Sequence, residues 1–133
     1  QTRLGETAIP RDDSVALVTS LRGRVRQYVV SNGTVQAQTA KLRRSGLDRL
    51  MDGIFLSERI GAEKPDIAFF DAVFAAIGPV EKEEVLIVGD SLTSDIQGGR
   101  NAGIQTCWYA PAGGESPLPH HTIRDLHQVL ALL

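Results

Sequence analysis

The chain has 133 residues, of which 42% are hydrophobic and 23% charged, and its formal net charge is −2 at pH 7. These values fit one globular domain, which we take as residues 1–133, and they give no electrostatic case for binding nucleic acid or an anionic membrane. No apolar run approaches the roughly 20 residues that a membrane-spanning helix needs. The single cysteine, Cys107, cannot form an internal disulfide. We therefore expect a cytoplasmic protein.

Hydrophobic periodicity predicts helices that alternate with short apolar strands. In chain order we expect helix 14–21, strand 27–30, helix 34–44, strand 53–56, helix 67–77, strand 85–88, helix 93–102, strand 105–109 and helix 122–133. Asp13 and Ser14 are typical of a helix N-cap, and Gly46 is typical of a helix end. Strands that alternate with helices predict an α/β fold with a doubly wound parallel sheet.

The most informative segment joins the strand at 85–88 to a loop that carries two acids. Gly89 follows the strand and eases the turn, and Asp90 and Asp95 come next, five residues apart. Ligands of α/β proteins bind just beyond the carboxyl ends of the strands. Two carboxylates at that position indicate a hard-cation site that suits Mg²⁺.

Two further polar signals accompany strand ends or helix starts. Ser31, Asn32 and Gly33 follow the strand at 27–30, and Lys64 precedes the helix at 67–77. Taken singly, Ser31 could be a helix cap, Lys64 a solvated surface lysine and Asp95 a first-turn acid. Their order and their placement at strand ends favour a single site instead.

Ser31, Lys64 and the Asp90/Asp95 pair, in this order, resemble the second, third and fourth motifs of the haloacid dehalogenase (HAD) superfamily. The resemblance extends over residues 9–133 and includes the connecting segments 38–47, 57–61 and 98–103. It implies a HAD-like Rossmannoid sheet and identifies the chain as the C-terminal part of a HAD-like hydrolase core domain. The resemblance also implies a role for each residue. Ser31 would hydrogen-bond a transferring phosphoryl group, Asn32 and Gly33 would shape the phosphate-binding loop, and Lys64 would bridge the nucleophile and the phosphoryl oxygens.

The resemblance further implies a metal-dependent phosphatase rather than a dehalogenase. Dehalogenases of this superfamily have Ser-Asn where this chain has Gly89-Asp90. Asp90 would bind Mg²⁺ directly, and Asp95 would support the metal directly or through water. The expected reaction is hydrolysis of a small phosphorylated metabolite, a phosphomonoester, through an aspartyl-phosphate intermediate.

One feature of the family is missing. HAD enzymes carry their nucleophile in an Asp-x-Asp motif at the end of the first strand, and this sequence contains none. Asp12 and Asp13 follow Pro10-Arg11 rather than an apolar strand, so we do not expect either to be the nucleophile. The resemblance implies that about 80 to 100 residues, including the cap domain, precede this part of the protein, which fits the usual size of a domain.

The first strand of the family sheet lies between the strands that end at Ser31 and Asp90. Without it, two inner strands would lack a hydrogen-bonding neighbour, which is costly in a buried sheet. We therefore predict that this chain does not hold the family fold alone. Either an N-terminal chain or segment carrying the Asp-x-Asp strand fills the gap, or the strands pair differently.

Three alternatives stay open. Gly89-Asp90-Ser91-Leu92 spells the nucleophile block of GDSL-type serine esterases, although the C-terminal Asp125-Leu126-His127 has the wrong spacing for their Asp-x-x-His. A receiver-type signalling domain would place its lysine after the acids, not before them. The third alternative is a catalytically inactive fragment or an interaction module. The three histidines (His120, His121 and His127) lack metal-ligand spacing, and we interpret them as structural or incidental.

Overall fold

The computed structural model describes the backbone of residues 12–133 and the side chains from residue 15 onward. The helices are α1 (Asp12–Leu21), α2 (Val35–Ser45), α3 (Ser57–Ile60), α4 (Ile67–Ile77) and α5 (Gln97–Ala102). The strands are β1 (Tyr28–Ser31), β2 (Gly53–Leu56), β3 (Leu86–Gly89), β4 (Gln105–Tyr109) and β5 (His121–Ile123). Short 3₁₀ helices cover Leu47–Arg49, Lys82–Glu84 and Leu126–Leu132, and Leu92–Ile96 forms a π-helical turn.

All strand pairing in the described residues is parallel, as predicted, and it forms two separate sheets. β1 pairs with β2, and β3, β4 and β5 pair in that order. The backbone hydrogen bonds recorded for residues 12–133 do not join β1 to β3, so each of these strands has one edge outside its own ladder. The sheet is thus interrupted where the sequence predicts a gap. Whether the chain folds without a further segment stays a prediction.

Helices cover both faces of the strands, which confirms a layered α/β architecture. Successive residues of a strand point to opposite faces, so Ile87 packs with α4 whereas Leu86 and Val88 pack with α1 and the last 3₁₀ helix. The largest fully buried side chains on the α4 face include Phe69, Phe70, Val30, Val73 and Ile87. None of the helices in the described part of the chain has the length and hydrophobicity needed to cross a bilayer.

The C-terminal helix predicted for residues 122–133 is wrong. Residues 121–123 instead form β5, which pairs with β4 through Trp108 and Thr122, and a 3₁₀ helix follows. Asp125 caps that 3₁₀ helix in a capping box with Gln128. A three-residue strand is stabilised by its nonlocal partner rather than by its own residues, so periodicity could not reveal it.

Two smaller differences concern helix starts. The helix predicted from residue 93 begins as the π-helical turn and becomes α5 only at Gln97. α1 runs from Asp12, so Asp13 and Ser14, which we expected just before the helix, lie within its described range. The side chains of Asp12 and Asp13 lie outside the described residues, so our view that neither is the nucleophile stays a prediction.

Candidate active site

The carboxyl ends of β1 and β3 bring the predicted polar residues toward one place. Ser31 is the last residue of β1, and Asp90 directly follows β3. Lys64 lies in the loop between α3 and α4, and Asp95 lies in the π-helical turn. Direct contacts join these segments, as the bonds of Lys64 show.

Lys64 is the central residue of this site. Its side chain is only 4% exposed, and its Nζ forms an ion pair with the carboxylate of Asp95. The same Nζ donates a hydrogen bond of 3.0 Å to the carbonyl oxygen of Val30 in β1. Burial lowers the pKa of Lys64, while Asp95 and then Asp90 act in the opposite direction. One ammonium group therefore connects the end of β1 to the acid loop after β3.

Asn32 fixes the main chain of Lys64. The side-chain Nδ2 of Asn32 donates to the carbonyl oxygen of Lys64 at 2.9 Å, and the backbone N–H of Lys64 donates to Oδ1 of Asn32 at 2.9 Å. The Lys64–Pro65 peptide bond that follows is cis. We predicted Asn32 as a phosphate-binding residue that shapes its loop, and the structure shows that its side chain holds the lysine loop against the end of β1.

Ser31 is buried, and its hydroxyl oxygen accepts a hydrogen bond of 3.1 Å from the backbone N–H of Gly33. Because that bond uses a lone pair, the hydroxyl proton stays available for an oxyanion. α2 begins just beyond this loop, where Thr34 caps it by accepting from Ala37 N–H at 3.1 Å. The backbone N–H of Val35 donates to Oε1 of Glu58 at 3.0 Å.

The two acids of the loop after β3 have different environments. Asp90 is exposed, whereas Asp95 is buried. The Oδ2 of Asp95 accepts a 3.2 Å bond from the backbone N–H of Ser91, and Trp108 Nε1 donates at 3.1 Å to the carbonyl oxygen of Asp90. A Cβ on Gly89 would collide with the carboxylate of Asp95. Glycine is therefore required at this position for the buried acid to pack against the end of β3.

The donor set at this loop fits a magnesium ion. Mg²⁺ commonly takes one or two carboxylates and completes its shell with waters and phosphate oxygens. Asp90 offers an exposed carboxylate on a backbone held by Trp108. Asp95 already forms an ion pair with Lys64, so it suits a supporting role near the metal rather than the role of main ligand. Among residues 15–133 there is no group of three or more His, Cys, Asp and Glu that could hold a metal without other ligands.

An open cavity of about 510 Å³ lies beside the site. Its walls come from the loop after β1, which includes Asn32 and Gly33, and from the segment around α3 and the start of α4. Glu58, Glu63 and Asp66 are the charged residues of this wall.

Two of the three histidines make side-chain contacts with nearby residues. Nδ1 of His120 accepts from the backbone N–H of Thr106 at 3.0 Å and lies 2.8 Å from the Thr106 hydroxyl. Burial, followed by the nearby Arg100 and His121, lowers the pKa of His120. His127 pairs with the exposed Asp125 at 3.3 Å.

Sequence reasoning missed three features of the site: the anchoring of Lys64 by the side chain of Asn32, the bond from Trp108 to Asp90, and the bond from the start of α2 to Glu58. Each joins segments that are far apart in the chain, so no local pattern marks it. Gly89 is the residue of the site that a local pattern does mark, because a glycine directly after a strand indicates a turn.

Comparison with known proteins identifies a family. Residues 2–103 match the family model described as haloacid dehalogenase-like hydrolase. The chain is 35% identical over 133 residues to the pyrimidine 5'-nucleotidase YjjG of Escherichia coli, covering 98% of this chain and 59% of that protein. It is 34% identical over 137 residues to the N-acylneuraminate-9-phosphatase of Rattus norvegicus, covering 99% of this chain and 54% of that protein.

A solved structure shows the same fold. The crystal structure of the magnesium-bound HAD-hydrolase YfnB from Bacillus subtilis superposes with a TM-score of 0.88 at 38% identity, covering 92% of this chain and 55% of that chain. This chain thus spans a little more than half the length of these similar proteins.

Proposed function

Because this chain belongs to the haloacid dehalogenase-like hydrolases, we propose that it supplies the phosphate-binding and metal-binding residues of a Mg²⁺-dependent phosphatase. The observation that carries the proposal is the position of the Lys64 ammonium group. It is buried, and it bonds both to β1 one residue before Ser31 and to the Asp95 carboxylate of the acid loop. A cation at that point can balance the negative charge of a phosphoryl group held between Ser31 and Asp90.

Each residue then has a role in phosphoryl transfer. Ser31 donates a hydrogen bond from its hydroxyl to a phosphoryl oxygen, while Gly33 N–H keeps the Ser31 oxygen oriented. Lys64 neutralises charge on the phosphoryl oxygens and on the attacking carboxylate. Asp90 would hold Mg²⁺, with Asp95 in support. When bound, the ion would act as a Lewis acid on the phosphoryl oxygens.

The nucleophile in this proposal is an aspartate from a segment outside this chain. The sequence contains no Asp-x-Asp motif, and β1 and β3 each have an edge outside their own sheets. A strand placed between them would complete the sheet and would present its carboxylate beside Lys64. We propose that such an N-terminal chain or segment forms the aspartyl-phosphate intermediate and that this chain alone is inactive.

We propose a small phosphomonoester as the substrate. The similar proteins named above include a pyrimidine 5'-nucleotidase and an N-acylneuraminate-9-phosphatase, whose names share phosphomonoester hydrolysis but differ in the group that carries the phosphate. Asp90, which stands where dehalogenases of the superfamily have asparagine, favours a metal-dependent phosphatase.

The serine-esterase alternative receives no support from the geometry. The recorded partners of the Ser91 hydroxyl are the backbone N–H of Ser94 at 3.2 Å and the hydroxyl of Thr93 at 3.3 Å. Among the described residues no imidazole bonds to it, whereas a serine nucleophile needs such a base. Ser91 acts here as the cap of the π-helical turn.

The test uses the complete protein with a panel of nucleoside and sugar phosphomonoesters, with and without Mg²⁺. We expect Mg²⁺-dependent release of phosphate, and Asp90→Asn should lower kcat/KM by more than the roughly 10- to 100-fold that loss of an outer-shell partner of a metal ligand costs. Asp71→Asn on the exposed side of α4 is the matched control and should retain activity. Undiminished turnover in Asp90→Asn would refute the metal assignment. Absence of any turnover by the folded complete protein would favour the interaction module.

A further inference from the structure

The opposite end of the β1–β2 sheet carries a concentration of positive charge that the proposed reaction does not use. Seven of the fourteen Lys and Arg residues lie within residues 22–49, where Asp48 is the only acid. These cations are Arg22, Arg24, Arg26, Lys41, Arg43, Arg44 and Arg49. The chain as a whole has a net charge of −2, so this positive charge is a local feature.

Part of this charge surrounds a cavity of about 420 Å³. Residues 22–26, which lead into β1, line it together with Leu50 and Asp52, which lead into β2. We call this cavity the basic pocket. Its three arginines are exposed, whereas Val25 and Leu50 are half-buried. A volume of this size lies within the range of small-molecule sites.

The walls of the basic pocket are held together by hydrogen bonds. The backbone N–H of Gln27 donates to Oδ2 of Asp52 at 2.7 Å, and the N–H of Asp52 donates to the carbonyl oxygen of Gln27 at 2.7 Å. Nη1 of Arg22 donates to the carbonyl oxygen of Arg49 at 3.0 Å. The one acid that lines the pocket is thus engaged with the backbone. Within residues 15–133, no ion pair is recorded for Arg22 or Arg24.

We propose that the basic pocket binds a small oligophosphate anion, such as the di- or triphosphate group of a nucleotide. Guanidinium groups match phosphate oxygens in geometry and charge, and a concave site lined with one sign of charge focuses its field on a ligand. The pocket lies at the amino ends of β1 and β2, and Ser31 lies at the other end of β1, roughly 10 Å of extended strand away. It is therefore separate from the proposed hydrolytic site.

The test measures binding of sodium tripolyphosphate to the complete protein by isothermal titration calorimetry at fixed ionic strength. We expect Arg22→Gln/Arg24→Gln to weaken binding by at least about tenfold, because charge-assisted bonds to phosphate are lost. The control Lys82→Gln/Arg124→Gln removes the same charge from exposed positions elsewhere and should change binding by less than about twofold. Arg24→Gln alone, which leaves the Arg22 bond to Arg49 intact, should also weaken the binding of tripolyphosphate.

Backbone amide NMR shifts then locate the bound anion. We expect changes at residues 22–26 and 50–52. Changes confined to residues 31–33 and 64 would place the anion in the hydrolytic site and overturn the proposal, as would equal weakening by the control pair. Tighter binding of a single-stranded oligonucleotide than of tripolyphosphate would also overturn it, because the surface would then serve nucleic acid.

Discussion

The buried pair of Lys64 and Asp95 gives the sharpest prediction for stability. The two side chains are 4% and 3% exposed, so solvent does not screen their charges. Replacing Asp95 with asparagine leaves the Lys64 ammonium group buried without its counter-charge. The remaining hydrogen bond to Val30 offsets only part of that loss. We therefore expect Asp95→Asn to lower the free energy of unfolding of the complete protein by about 3 kcal/mol, the lower end of the cost of breaking a buried ion pair.

That cost converts into a measurable shift. With an m-value of about 1.5 kcal/mol/M, the urea midpoint should fall by about 2 M. Unfolding can be followed by the fluorescence of the single tryptophan, Trp108, whose indole N–H bonds to the backbone of the acid loop. Asp71→Asn, at an exposed position of α4, is the control and should leave the midpoint unchanged.

A double substitution separates the pair from its surroundings. Lys64→Met/Asp95→Leu removes both charges. Its loss of unfolding free energy should be smaller than the sum of the losses for Lys64→Met and Asp95→Leu measured singly, because neither charge is then left alone. A midpoint for Asp95→Asn equal to that of the unmodified chain would refute the reasoning. So would strict additivity of the two changes, since it would mean that the charges do not interact.

Three further predictions follow from the contacts around the site and the core. Asn32→Ala removes both hydrogen bonds to the main chain of Lys64 and should lower the free energy of unfolding by about 2 kcal/mol, measured by urea unfolding. Burial lowers the pKa of His120 below 6.5, so its stabilising contribution is present above pH 6.5 and is lost as the pH falls through the folded-state value. Melting temperatures from pH 7.5 to 5 should therefore fall more steeply for the unmodified chain than for His120→Gln. Burial raises the pKa of Cys107 to about 12, so the thiol should react with an aromatic disulfide at pH 8 only on unfolding.

Each of these predictions has its own control. Gln36→Ala, at an exposed position of α2, is the control for Asn32→Ala and should change the free energy of unfolding by less than about 0.5 kcal/mol. An unchanged free energy of unfolding in Asn32→Ala would show that its two hydrogen bonds contribute nothing. Parallel pH profiles for the unmodified chain and His120→Gln would exclude a role of that imidazole in acid sensitivity. Rapid labelling of Cys107 in the folded chain would contradict its burial.

The sequence was sufficient to predict those elements whose structure is determined by a local pattern of residues. The helix at 67–77 and the strands at 53–56 and 105–109 have the predicted bounds, because continuous apolar runs and flanking glycines mark them. Ser31, Lys64 and Asp90 could be selected because each stands at the end or the start of such an element. The common motif order then pointed to the family that the comparisons identify.

The sequence was insufficient where a structural feature depends on a contact with a residue that is distant in the chain. β5 is stabilised by its pairing with β4, whereas the pattern of its own residues predicts the start of a helix. The role of Asn32 depends on the main chain of Lys64, 32 residues away. The burial of Lys64 was equally invisible, since most lysines lie in solvent. Long-range contacts of this kind leave no periodicity in the sequence.

The parallel arrangement of all the described strands has a consequence for how the chain reaches its native state. Tyr28 pairs with Gly53, Leu86 with Gln105 and Cys107 with His121, so none of the strands within residues 12–133 pairs with its neighbour through a tight hairpin. Each pair of strands can form its hydrogen bonds only after the intervening helix or loop has brought the two strands together. The contact order is therefore higher, and folding slower, than in helical bundles. During synthesis on the ribosome, β1 would emerge well before its partner, and its apolar residues would be exposed to chaperones and to aggregation throughout that delay.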